Sequence, residues 1–164
     1  MAQDLDPDLT ELSRDVVQAV APAELPLFNA ISREYAKNPD KAVKAAADGD
    51  EVLGFGVAAG LLLTPIIMSV AQTVLKFVRD EILKLARQEA TNAVDKTART
   101  LVARVLAPKA QDKALPHHAP ALNPDQLLEV RKVAISRALS LDLPRDQAER
   151  LADAMVARLA IAAA

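Results

Sequence analysis

The chain lacks cysteine and tryptophan altogether and has only two histidines, four glycines and four aromatic residues in 164 positions. Without cysteine there is no disulfide, no thiolate nucleophile and no Cys-ligated zinc. The histidines are neighbours, His117 and His118, in a proline-rich stretch. Adjacent imidazoles in a loop do not converge on one metal ion as an i,i+4 pair on a helix does, so no metal site is expected. With only Phe28, Tyr35, Phe55 and Phe77 as aromatics, the apolar surface is left to Ala, Leu and Val. Runs of β-branched residues with period-two alternation are missing as well. The chain therefore reads as all-α.

Charge is absent from one long stretch. Val52 to Leu75 holds 24 consecutive residues without a charged side chain. As a helix it would be about 36 Å long, enough to cross a hydrocarbon core of about 30 Å with some tilt. Its apolar residues go all the way round instead of forming a stripe, which suits lipid or a deep protein core. Gly56 and Gly60 form a small-xxx-small pair that lets a second helix approach closely. Pro65, in mid-segment, is expected to kink the helix. Lys76 and Arg79 follow at once, where headgroups would lie if the segment spans a membrane. The favoured expectation is a membrane span over 52–75. The alternative buries the same segment in a helical bundle.

Net charge divides unevenly around this stretch. Residues 1–51 carry net −6 and residues 76–164 net +4. Lysines and arginines near the two ends slightly favour a cytoplasmic C-terminal part for a single-pass topology. The opening MAQDLDPDL has neither a basic n-region nor an early apolar run, so no secretory signal is expected there.

A punctuation mark recurs along the chain: Asp6-Pro7-Asp8, Asn38-Pro39-Asp40 and Asn123-Pro124-Asp125. Each supplies a capping side chain, a proline at the first helical position and an acid near the positive helix end. Four regions follow. Residues 1–49 should form acidic amphipathic helices over about 7–20, 24–36 and 39–47. Leu9, Leu12, Val16, Val17 and Val20 line the first; Leu25, Phe28, Ile31 and Tyr35 line the second. Residues 50–106 should form one long helix, capped by Asp50, apolar to Leu75 and amphipathic beyond. Residues 107–123, with three prolines and no periodicity, read as a linker. Residues 124–164 read as a helical hairpin, with helices over about 124–140 and 144–163 and a tight turn at Leu141–Pro144.

Catalytic chemistry finds little support. Ser69 and Lys76 share a helix face but are separated by about 10 Å along the axis, too far for a nucleophile and its base. Gly54, Gly56 and Gly60 miss the dinucleotide spacing by one residue and follow no strand. The basic residues from Lys76 to Arg104 are interleaved with acids and have no aromatic stacking platform beyond Phe77, which argues against nucleic acid. No catalytic residue, cofactor or small-molecule substrate is expected. The expectation is a non-enzymatic, membrane-anchored helical protein that binds lipid and either itself or another helical protein. A helical-bundle adaptor with the apolar helix buried is the first alternative. A pore-forming or membrane-inserting effector is the second.

Overall fold

The computed structural model describes residues 5–48, 62–92 and 122–162. All regular structure among them is helical: α1 (Pro7–Val20), a 3₁₀ segment (Pro22–Leu27), α2 (Phe28–Lys37), α3 (Pro39–Asp48), α4 (Leu63–Asn92), α5 (Pro124–Leu139) and α6 (Arg145–Ala162).

The three recurring motifs start α1, α3 and α5, each with proline as the first helical residue. The Asp8 backbone N–H donates to Asp6 Oδ1 at 3.1 Å, and the Lys41 N–H donates to Asn38 Oδ1 at 3.0 Å. Asn123 makes a reciprocal capping box: its side chain accepts from the Gln126 N–H at 2.8 Å, and Gln126 Oε1 accepts from the Asn123 N–H at 3.0 Å. Each cap satisfies backbone donors that the first helical turn leaves without a partner. The expected second helix is divided instead. Pro26 lacks an amide hydrogen, and Pro22–Leu27 winds as a tighter 3₁₀ segment before α2 begins at Phe28.

α4 is the central rod. It touches α1, α2, α3 and α5, while α6 packs on α5 and α1. Residues 64–71 are buried without interruption, so neighbours cover two full turns of α4 on every side. Further along, among the described side chains, Val74, Leu75, Val78 and Ile82 are buried and Lys76 is exposed. The all-round apolar character thus gives way to a stripe where covering helices run out on one side. Leu9, Leu12, Val16 and Val17 of α1 meet this rod, as do Val130, Ala134 and Ala138 of α5, in one core that also takes in Leu151 and Met155 of α6. A smaller cluster joins Tyr35, Ala42, Val43 and Met68.

The expected unbroken helix over 52–75 is corrected here. Leu62 lies outside any helix and α4 begins at Leu63. Pro65 is consequently the third residue of a helix, where an amide hydrogen has no intrahelical partner to lose, and it is not the site of a mid-helix kink. Of the part of the expected span that is described, residues 64–71 are covered by the protein's own helices. Among the described residues no helix is long and apolar enough to cross a membrane. Asp50, Val52–Leu61 with Gly56 and Gly60, the expected helical continuation over 93–106, most of the 107–123 linker and both histidines lie outside the described residues.

α5 and α6 pack against one another across a short turn. The turn closes through the Leu143 N–H donating to the Ala138 carbonyl at 3.2 Å. Asp142 takes a left-handed conformation there, φ 59°, which aspartate tolerates better than most residues. Ion pairs join the layers. Arg79 of α4 meets Asp6 and Asp8 at the start of α1, Arg131 of α5 meets Asp153 of α6, and Arg158 of α6 reaches Asp15 and Glu11 of α1. Such partly exposed pairs contribute little each, and burial of the apolar rod dominates.

Candidate functional site

The helices bring polar residues of distant sequence together at one place. Tyr35 comes from the last turn of α2, Ser69 and Gln72 from α4, and Arg137 from the last turn of α5. These residues line an open cleft of about 420 Å³ between α2–α3, α4 and the α5–α6 turn.

Ser69 and Gln72 are three positions apart and so share a face of α4. The Tyr35 hydroxyl donates to Gln72 Oε1 at 2.9 Å. Arg137 Nη2 donates to Ser69 Oγ at 2.9 Å. Arg137 Nε is buried and has no hydrogen-bond partner. At the mouth stand Asp40, Lys44, Asp48 and Asp142, all exposed. The position of Arg137 also suits a helix C-terminus, where a cation meets the negative end of the helix dipole.

Burial pushes the Tyr35 phenol above its ordinary pKa of 10.0; the bond with Ser69 and the charge of Arg137 oppose this, and Asp40 reinforces it. The phenol accordingly stays protonated around neutrality. Ser69 has a guanidinium and a phenol as neighbours, and neither takes a proton from a hydroxyl at neutral pH. The cleft presents hydrogen-bonding groups and one positive charge.

Tyr35 is the only tyrosine and there is no tryptophan, so phenolate absorbance reports on it alone. Its titration midpoint in the folded protein is expected above that of the urea-unfolded chain. The sign follows from proton linkage: between the two midpoints the folded state holds the extra proton. Stability should therefore be unaffected by this group below about pH 10 and fall as pH rises beyond it. A folded-state midpoint at or below the unfolded one would contradict the burial of the phenol.

Of the residues weighed for function in the sequence, Ser69 lies here and Lys76 and Arg79 do not. Lys76 is exposed on α4, and Arg79 lies in the ion pairs to Asp6 and Asp8. Ser69 is buried while Lys76 points to solvent. Gly56 and Gly60 lie outside the described residues. Ser69 and Gln72 had one visible signal, as polar positions within an otherwise oily run. Nothing in the sequence links them to Tyr35 or Arg137. Among the described residues no group of three or more His, Asp or Glu side chains is placed to hold a metal ion. No protein-family model matches the chain, and neither a curated protein nor a solved structure does.

Proposed function

We propose that this chain is a non-enzymatic helical interaction module that engages a second copy of itself or another helical protein through the outer face of α5. The observation that supports this reading is an apolar stripe on that face. Leu128 is 57% exposed and Leu139 41%, the two large exposed hydrophobics among the described residues. Eleven residues apart, they fall within about 20° of one another around the helix, and half-buried Ile135 lies between them. Single exposed leucines are ordinary, but a row along one helix face suits the helix-to-helix contact of an interaction module.

Sedimentation of the purified chain over a micromolar range tests the self-association form. Association is expected, with the Leu128→Glu, Leu139→Glu double variant monomeric and equally helical. A double variant that associates as the original does removes α5 from the interface.

The membrane-anchored reading is favoured by one feature, the uncharged run from Val52 to Leu61 in the sequence just before α4. A span over 52–75, single-pass with the C-terminal part on the cytoplasmic side, requires residues 62–75 to leave the core. A pore-forming or membrane-inserting role has the same requirement. Flotation with liposomes distinguishes these readings. A chain that stays at the bottom of the gradient with its helical content intact counts against both membrane roles.

A further inference from the structure

Four arginines among the described residues are half-buried: Arg79, Arg131, Arg137 and Arg158. Three of them meet carboxylates. Arg137 alone meets none among the described residues; it gives one bond to neutral Ser69, and its buried Nε gives none. Withdrawing a guanidinium from water without a counter-ion is unfavourable, and a buried N–H donor without an acceptor adds to the cost. The planar fork of arginine matches a carboxylate, and the floor of this cleft lacks one.

The mouth restricts which anion can enter. Asp40, Asp48 and Asp142 outnumber Lys44, so the mouth has a net charge of −2 while the floor holds the single positive charge of Arg137. A bare inorganic anion meets repulsion from three carboxylates before it reaches Arg137. A ligand with a carboxylate at one end and a cationic group at the other satisfies floor and mouth together. The cleft volume lies within the range of small-molecule sites, about 300–1,000 Å³.

We propose that this cleft binds a zwitterionic ligand of the amino-acid or peptide-terminus type. The ligand carboxylate sits on Arg137 beside Ser69 and Tyr35, and its cationic group sits among Asp40 and Asp142. This goes beyond the interaction face on α5 and does not depend on it.

Calorimetric titration of the whole chain provides the test, with L-lysine, acetate, phosphate, the tripeptide Gly-Gly-Lys with a free carboxylate, and its C-terminal amide as probes. L-lysine or the free tripeptide is expected to bind most tightly, and whichever is tighter identifies a free amino acid or a chain end as the source. Amidation and the Arg137→Gln substitution should each weaken binding about tenfold or more, the scale of a lost charged hydrogen bond. The exposed pair Asp40→Asn, Asp142→Asn should weaken L-lysine binding several-fold with the circular dichroism spectrum unchanged, which keeps the test open if Arg137→Gln does not fold. Four results would each overturn the proposal: no binding of L-lysine or free tripeptide at millimolar concentration, equal binding of the amide, phosphate binding tighter than either, or binding unaffected by both sets of substitutions.

Discussion

Truncating Ile67 to alanine is expected to lower the unfolding free energy by about 2–5 kcal/mol, the range for deleting a large aliphatic side chain from a packed core. Ile67 is wholly buried within the continuous run 64–71, where α4 is covered on all sides. Domains of this size have a total stability of about 5–15 kcal/mol, so the loss would be a large share of it. Urea denaturation followed by circular dichroism measures the loss directly, and Leu128→Ala serves as a control. Leu128 is 57% exposed, and its truncation should change stability by no more than about 0.5 kcal/mol. If Ile67→Ala behaved like Leu128→Ala, the apolar rod would not be packed as described.

The second large effect concerns the start of α4. Glu24, in the 3₁₀ segment, reaches across 40 positions to this helix. Its Oε1 accepts from the Leu63 N–H at 2.8 Å; its Oε2 accepts from the Thr64 N–H at 2.8 Å and from the Thr64 hydroxyl at 2.6 Å. One carboxylate thus satisfies two orphan amides at the positive end of the dipole and a hydroxyl that is fully buried. Glu24→Ala should cost about 2–3 kcal/mol, since bonds to a charged group are lost and a buried polar group is left unpaired. Glu24→Gln keeps one acceptor and should fall between the variant and the original. Pro65→Ala separates the two accounts of this segment. A proline breaking a helix interior costs about 3 kcal/mol, so replacing it there would stabilise the protein strongly. In the first turn of α4 the same replacement should change stability by less than about 1 kcal/mol.

The hydrophobic pattern anticipated which face of the first two helices would be inward. Leu9, Leu12, Val16 and Val17 are buried on α1, and Phe28, Ile31 and Tyr35 on α2. The sequence is less decisive on α5, whose apolar residues Leu127, Leu128, Val130, Val133, Ala134, Ala138 and Leu139 do not single out one face. There Val130, Ala134 and Ala138 turn inward and Leu128 and Leu139 outward. Two of the three inward residues are alanines, while Leu128 borders a cleft beside Phe77 and Glu81 of α4 and Leu139 is exposed. No periodicity shows that in advance, because it depends on which neighbours arrive. The cleft was not legible either. Tyr35, Ser69, Gln72 and Arg137 lie on three helices, and their meeting depends on how those helices cross.

What the sequence determined by itself is local. Three capping side chains followed by proline set three helix starts, because their chemistry acts within one turn of the chain. The scarcity of aromatic and β-branched alternation excluded sheet. What surrounds the apolar run was decided by tertiary structure alone. An uncharged segment demands an environment free of water, and lipid and protein meet that demand equally well. Only the arrival of α1, α2, α3 and α5 around residues 64–71 settles it in favour of protein there, and only the long reach of Glu24 turns Thr64-Pro65 from the middle of an expected span into the beginning of a helix.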